Sequence, residues 1–511
     1  MEQFSKESIA LMKTALADKL DSAVLAKAGI NIASGLTAYD LRAPALLHVP
    51  QLTPIRNMMP RNGRTNPGDA AHWKQIRSLT GSGFDGMGYV PEGQRSGSMG
   101  VSTIPKSANY LTLGEESSVT FEAEAAAEGF EDANAFARWM ALKKVMQKEE
   151  NAILFGNRNI QLGTVGTVTT ASPTDAASTM TATTYYVSCV ALTAEGYRNS
   201  SVAGGVATSM SVTGADGQTY TVNGGSSNKS AIASEAVSSG DGLSGSVTPI
   251  QGAVAYAWYV GTSNSASALH LQQITTINSF YMNADPVTST QAASAITADC
   301  SYNDGTQAGT NPVAAFDGLM TAALVSGSGA YYLALATGTA GTGTALTANN
   351  AGGVEEIDEM LLTMWDRDRL SVDNLWMSAR TARALFKLIL TNASAPLLRF
   401  NKDADAGGLN ISGGGTIDAY FSPISTVGGT KIPIRVHPNL PDGVILGQST
   451  QLPAFYENNS TPVVAEVLTR RDYYSIDWPL RTRAREFGVY TDEVLAVYAP
   501  FAMGVIANIA V

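Results

Sequence analysis

Between Gly163 and Pro312 the chain runs for 150 residues with only two basic side chains, Arg198 and Lys229, while the other 361 residues hold the remaining 31 Lys and Arg. The stretch is rich in Ser, Thr, Gly and Ala, and sequence of ordinary composition with amphipathic periodicity resumes after it. That pattern describes a module over residues 164–312 set inside a host domain, not a tail. Insertions are tolerated where the entry and exit of the chain lie close together on an exposed surface. The module is therefore expected to be independent and to face solvent, and the host has to be read across the gap.

Within the module, TTYYVSCVALTAEGYRNSS, QTYTVNG, AVAYAWYVGTS and LHLQQITT alternate apolar and polar residues between turn signals. Short strands at this spacing predict an all-β sandwich of immunoglobulin or fibronectin type, with Trp258 and Tyr186 as its core aromatics. The only two cysteines, Cys189 and Cys300, both fall here. A single disulfide or two free thiols fit that count, and free, inert thiols are the expectation because the host folds without cysteine.

The net charge of −11 divides into −6 for the module and −5 for the host, which gives no global attraction to nucleic acid or to an anionic membrane. Charged residues make up 15% of the chain, against about 25% in an average soluble protein, and there are 49 glycines. Such a chain is rich in β structure or covers much of its surface with partners. The N-terminus lacks a basic region followed by an apolar one, so no signal peptide is expected. The most apolar stretch, Ala496 to Val511, contains Pro500 and Asn508 and falls short of a membrane span. A soluble protein made in the cytoplasm is the expectation.

Residues 1–30 place Phe4, Ile9, Met12, Leu16 and Leu20 near helical spacing and read as a short amphipathic helix ending at Gly29. Prolines 44, 50, 54, 60 and 67 make residues 31–68 an extended arm. From Ala71, HWKQIRSLT and TIPKSANYLTLG flank a glycine-rich run and predict a long hairpin. Gly81, Gly83 and Gly86 match GxGxxG, but the run leads to Pro91 and not to a helix, so a flexible hairpin tip is preferred over a dinucleotide site. SSVTFEAEA reads as a strand. A helix of roughly 22 residues follows, about 33 Å long, capped by Asp132 and stopped by Gly156. Its apolar stripe is expected to be Phe136, Trp139, Met140, Leu142 and Met146.

After the module, Val354, Ile357, Leu361 and Met364 line one face of a second helix. LWMSA reads as a buried strand, and RTARALFKLIL as a third helix with Ala382, Leu385, Phe386 and Ile389 inward. Four β segments close the chain: KIPIRVHPNLPDGVILG, VVAEVL, YYSIDWPLRTRAREFGVY and VLAVYAPFAMGVIANIAV. The host is mixed α+β.

Read across the gap, the order of these parts resembles the major capsid protein of tailed bacteriophages, the Hong-Kong-97-like fold, over about 350 residues. The resemblance is carried by the proline-rich arm, the hairpin with YVPEG (Tyr89 to Gly93), LTLGEESSVTFEA, and the long helix ending ENAILFGN (Glu150 to Asn157). LWMSARTARALFKL, IPIRVHPNLPDGVILG (Ile432 to Gly447) and the closing DYYSIDWPLRTRAREFGVYTDEVLAVYAPFAMGVIANI complete it. It implies an N-terminal helix and arm over 1–68, an extended hairpin loop over 69–115, and a spine helix with peripheral domain over 116–163. The inserted immunoglobulin-like domain would take 164–312, and the axial domain with the return to the peripheral domain 313–511.

The implied function is structural, with no enzyme activity and no cofactor. Hexamers and pentamers would close into an icosahedral head around double-stranded DNA held without sequence-specific contacts. Portal and scaffold or decoration proteins would be partners, no membrane would be involved, and assembly would occur in the bacterial host cytoplasm before release in the virion. The exposed, acidic module would be a decoration that binds glycans. The alternatives are an encapsulin-like nanocompartment shell and, from another class, a bacterial β-module surface adhesin. The adhesin would need a secretion signal and leaves the host helices unexplained.

No residue pattern points to catalysis. His48, His72, His270 and His437 are scattered without HExxH or metal-ligand spacing, and no GxSxG or GxxxxGK[ST] occurs. Asp366, Asp368, Asp373 and Asn374 are crowded, but Arg367 and Arg369 intervene and the spacing is wrong for an EF-hand, so a solvated helix end is preferred over calcium. The hairpin residues Trp73, Ile76, Phe84, Met87 and Val90 need a neighbour to cover them. Glu92 and Arg95, with Arg481, Arg483 and Arg485, are candidates for intersubunit ion pairs, set against ordinary solvated strand charge. Lys106 lies on the return strand, but no catalytic acid or partner asparagine is identifiable, so no intersubunit crosslink is expected from it.

Overall fold

The structure is a computed structural model and describes residues 52–63, 68–80, 89–128, 132–306, 313–349, 353–392, 399–402, 409–412, 419–422, 430–453 and 463–511. The helix expected over residues 1–30, the arm up to residue 51, His48, the three glycines of the GxGxxG match, Phe84 and Met87 lie outside the described residues.

The described part of the arm is not wholly extended. Pro54 opens a short helix, α1 (Pro54–Met58), at the position where its missing N–H costs nothing, and β1 (Arg61–Gly63) follows. The long hairpin is β2 (Ala70–Thr80) against β3 (Gly100–Asn109), with a register shift between Ile76 and Ser78. Next comes β4 (Leu111–Thr120).

FEAEA, which alternates like a strand, is helical instead: α2 (Phe121–Ala127) starts where the Thr120 hydroxyl accepts the Ala123 N–H at 3.2 Å. Ala and Glu are strong helix formers, and that preference with a cap outweighs a two-residue alternation. The long helix is α3 (Ala133–Phe155), capped by Asp132, whose carboxylate accepts from the N–H groups of Asn134 and Ala135, and ended at Gly156. Its buried face differs from the expected stripe. Ala141, Val145, Glu149, Glu150, Ile153 and Leu154 point inward, while Phe136 and Trp139 stay exposed. The buried side carries two carboxylates, so hydrophobicity alone selects the wrong face.

The segment after α3 contains β5 (Thr169–Ala171), β6 (Thr183–Leu192), α4 (Ala194–Asn199), β7 (Ser209–Thr213), β8 (Thr219–Asn223) and β9 (Ala233–Val237). It continues with β10 (Leu243–Ser246), β11 (Ala255–Gly261), β12 (His270–Thr275) and β13 (Ser279–Met282). TAEGYRNSS is thus a helix rather than strand, capped by Thr193 through the Gly196 N–H. Two antiparallel sheets, ordered β12-β11-β6-β9 and β13-β10-β5, face one another, and Trp258 of the first packs on Phe280 of the second with ring centroids 4.7 Å apart.

Tyr185, not Tyr186, joins Trp258 inside the sandwich, because strand alternation sends neighbours to opposite faces. The outer face of the larger sheet is covered as well, by Val206, Ala293 and Ile296 against Val190, Ala257 and Tyr259, so β11 is buried along its whole length. Both cysteines are free.

The chain continues with α5 (Leu319–Leu324), β14 (Tyr331–Ala334), α6 (Glu355–Asp368), β15 (Asn374–Met377) and α7 (Ala379–Asn392). Then come β16 (Arg399–Lys402), β17 (Leu409–Ser412), β18 (Ala419–Ser422), β19 (Thr430–Val436), β20 (Ile445–Gln448), β21 (Ala465–Asp477), β22 (Ala484–Val497) and β23 (Met503–Ala507). VVAEVL and YYSID therefore form one strand, as do REFGVY and VLAV. The host has a six-stranded mixed sheet, β14-β23-β20-β15-β19-β18, under α6, and a four-stranded sheet, β1-β21-β22-β4, with α3 on one face. The fold is mixed α+β with additional β sheets in the Lys/Arg-poor segment.

The segment leaves and re-enters the host at one place. The Gly318 N–H donates to Gly156 O at 2.8 Å, the Asn303 N–H donates to Asn157 O at 2.9 Å, and Asp317 accepts from the N–H groups of Arg158 and Asn159. It is not an independent module, however. One continuous apolar core runs from Tyr185, Val187, Trp258 and Phe280 through Phe155, Leu319 and Met320 to Leu446, Val494 and Met503. At a second seam the backbone N–H of Gly341 reaches Ser279 Oγ at 3.0 Å, and Gly341 takes a positive φ of 81° where a Cβ would sit 2.2 Å from Tyr281.

Candidate assembly surfaces

The β2–β3 hairpin is a two-stranded ribbon with little of its own chain on either face. Ile76 is 67% exposed and Leu79 64%, and Tyr89, Val90, Met99 and Val101 are exposed too. Trp73 departs from this pattern. It sits at the ribbon's root, edge-on to Tyr498 at 5.6 Å, so its ring is covered within the chain, and its Nε1 is buried with no acceptor among the described residues. Glu92 and Arg95 are both exposed near the tip, and neither forms an ion pair among the described residues.

Arg483 and Arg485 pair within the chain, with Glu122 at 2.5 Å and Glu124 at 3.0 Å on α2. They brace the start of β22 against that helix. Arg481 is exposed at the β21–β22 turn beside Trp478 and Leu480, which are also exposed. The structure thus places the candidate charges in two regions: Glu92 and Arg95 on the ribbon, and the three arginines at one end of the four-stranded sheet.

A further apolar surface lies on the outer side of α3. Phe136 and Trp139 stand 6.3 Å apart, and the Lys143 ammonium lies 3.7 Å from the Trp139 ring centroid.

Sequence reasoning missed the charged core behind α3. Glu149 is fully buried and receives Arg56 Nε at 2.8 Å, Arg61 Nη1 and the Tyr473 hydroxyl. Arg61 also reaches Asp472 at 2.8 Å and the buried Glu493 at 3.1 Å. Glu150 accepts the N–H groups of Ile55 and Arg56 at the start of α1. It also accepts Nε2 of His437, 2.6 Å away. The Asn439 N–H donates to His437 Nδ1 at 3.1 Å, so that nitrogen is unprotonated and Nε2 carries the hydrogen.

Burial, and then the neighbouring Glu149 charge, push the Glu493 carboxyl up to about 7 against the pull of Arg61. The cluster pins the described end of the N-terminal segment to the spine of the molecule. Nothing in a single sequence distinguishes these acids from solvated ones, since their partners lie about 90 to 430 residues away.

Several polar groups that the sequence singles out have structural partners. His270 bonds Thr290 O, and Asp373 accepts from Thr450. Asn374 accepts from Arg435 Nε at 2.6 Å, and Arg367 pairs with Asp368. Among the described residues no cluster of three or more His, Cys, Asp or Glu could hold a metal, and no helix is long and apolar enough to cross a membrane.

No protein-family model and no curated protein matches the sequence. Solved structures are similar to the structure of this chain at low sequence identity. The capsid of the native GTA particle is similar at a TM-score of 0.42 and 9% identity, covering 96% of this chain and 100% of that one. The capsid of the Myoviridae phage XM1 is similar at 0.40 and 10%, covering 94% and 99%. The SrpI encapsulin of Synechococcus elongatus PCC 7942 is similar at 0.37 and 9%, covering 92% and 93%. Structures similar to this chain thus include capsids, among them one of a phage, and an encapsulin.

Proposed function

We propose that this chain is a structural, non-enzymatic shell subunit: a major capsid protein of tailed-phage type that assembles with itself into a closed head. The observation that carries this reading is the β2–β3 ribbon. A two-stranded hairpin is marginal alone in water, and this one exposes aliphatic side chains along ten paired positions. A closed symmetric assembly supplies the missing surface at every copy. Hexamers and pentamers around double-stranded DNA, with portal and scaffold or decoration proteins and assembly in a bacterial cytoplasm, are the finer parts of the proposal. The net charge of −11 suits a container that does not bind the genome it encloses. Glycan binding by the β-rich segment belongs to the same proposal, with the exposed Tyr220 as its candidate platform.

The test is electron microscopy of the full chain expressed alone and purified. Polyhedral shells or rings of five and six support the reading, and monodisperse monomers at every concentration overturn it. Nucleic acid in particles from infected cells separates a phage head from an enzyme-filled compartment. A glycan array with Tyr220→Ala as control tests the sugar.

A further inference from the structure

The chain is acidic as a whole, yet one stretch reverses the sign. Residues 374–441 hold seven Lys and Arg against Asp403, Asp405 and Asp418, a net charge of +4, while the rest of the chain carries −15. Two of these cations are already engaged on the six-stranded sheet. Arg435 donates to Asn374 and lies over the Trp376 ring at 5.6 Å, and Lys431 lies over the Phe421 ring at 5.5 Å.

Three more stand on α7. Arg380, Arg383 and Lys387 recur at spacings of three and four, so they share one side of the helix. All three are exposed, Arg380 at 80%. The opposite side turns Leu385, with Ala382 and Ile389, into the core against Leu375 and Ile432, so the stripe is held on a packed element. Asp442 lies 3.5 Å from Arg380, and an exposed pair of that length is worth little and opens readily. Arg383 has no ion-pair partner among the described residues.

Length and chemistry identify the ligand. From Arg380 to Lys387 the stripe runs about 10.5 Å, at 1.5 Å per residue. One strand of a duplex presents a phosphate about every 3.4 Å along its axis, so about three fall within that span. Guanidinium groups bind phosphate oxygens through two N–H groups at once. A protein partner would find less to hold. None of the exposed large apolar side chains among the described residues lies on α7, and protein interfaces are built round a desolvated apolar centre, whereas nucleic-acid interfaces are polar and cationic. We propose that the Arg380, Arg383 and Lys387 stripe of α7 is a sequence-independent contact for the phosphate backbone of double-stranded DNA. About three phosphates per subunit make a weak contact, which leaves the repulsion from the remaining −15 in force. The contact goes beyond the shell reading and does not depend on it.

The experiment uses the full chain, with assembled particles removed by sedimentation, and a fluorescent DNA duplex of about 30 base pairs at about 50 mM salt. Arg383→Gln with Lys387→Gln should weaken binding about tenfold or more and reduce the slope of log K against log salt by about 1.8. Arg95→Gln with Lys144→Gln removes the same charge from other exposed positions and should change binding less than about twofold. In the parent chain, saturating duplex should protect Lys387 from acetylation and leave Lys144 reactive, a reading that needs no variant. No binding by the parent chain, or equal weakening in both double variants, overturns the stripe as a DNA site. A polyglutamate peptide that binds the parent chain as tightly as the duplex does also overturns it, and makes α7 a dock for an acidic protein instead. None of these results bears on whether the chain forms shells, which electron microscopy decides.

Discussion

Asn278 and Asn508 exchange hydrogen bonds across the boundary between the β-rich segment and the host. The Asn278 N–H donates to Asn508 Oδ1 at 2.7 Å, and Asn508 Nδ2 donates to Asn278 Oδ1 at 3.0 Å and to Leu335 O at 2.6 Å. Both residues are buried, and Asn508 takes a left-handed φ of 62°. Replacing Asn508 by Ala strands buried polar groups, each at about 1–3 kcal/mol, and adds about 1–2 kcal/mol of backbone strain. Asn508→Gly loses the bonds without the strain. Urea unfolding should rank wild type above Asn508→Gly above Asn508→Ala, and equal midpoints would show the seam to be energetically idle.

The same seam sets the outcome of removing the segment. Reading the sequence alone, deletion of 164–312 should spare assembly. The shared core says otherwise, because excision uncovers Phe155, Leu319, Met320 and Met503, each now packed in one cluster with residues of the segment. The shortened chain is expected to be insoluble or to bind a hydrophobic dye strongly. Soluble, particle-forming protein would show that the segment is separable after all.

The carboxylates around Arg61 predict a pH dependence. Glu493 faces Glu149 from α3, Arg61 from β1 and Thr491 on its own strand, while Asp472 and Tyr473 of β21 bind the same Arg61–Glu149 pair. Its carboxyl ordinarily titrates at 4.5 and is raised to about 7, so the folded chain holds this proton more tightly than the unfolded one. The resulting stabilisation is complete below about 4.5 and disappears as pH rises through about 7. Urea midpoints measured between pH 5 and pH 8 should fall with rising pH, and Glu493→Gln should flatten that slope. An unchanged slope in the variant would place the titrating group elsewhere.

What the sequence discloses about this fold is mostly local. Asp132 and Gly156 bracket α3 because capping chemistry is written in adjacent residues, and the acids of α6 crowd its first turn for the same reason. The neck of the insertion follows from a composition change. The inward face of α3 does not, because its burial is decided by Arg56, Arg61 and His437, which no pattern within the helix reports. The independence of the β-rich segment is misjudged for a related reason. Composition records which residues are present, whereas the shared core and the Asn278–Asn508 pair depend on which surfaces meet. Trp73 shows the limit at a single side chain: the hairpin pattern marks it as needing cover, and only the packing reveals that Tyr498 supplies it.

The outer stripe of α3 carries the last prediction. Phe136 and Trp139 are exposed on a rigid, well-capped helix, with Lys143 over the Trp139 ring, and exposed aromatics on rigid elements are the side chains that anchor interfaces. Because both rings already face solvent, Phe136→Ala with Trp139→Ala should change the unfolding free energy of the subunit by no more than about 0.5 kcal/mol. If a neighbour covers them in the shell, the same variant loses anchor contacts of about 2 kcal/mol or more. Assembly followed by light scattering should then need a roughly thirtyfold higher protein concentration, by the factor of ten for each 1.4 kcal/mol. Unaltered assembly would mean that this stripe faces open solvent in the finished particle. Loss of subunit stability would instead mean that the two rings contribute to packing within the subunit itself.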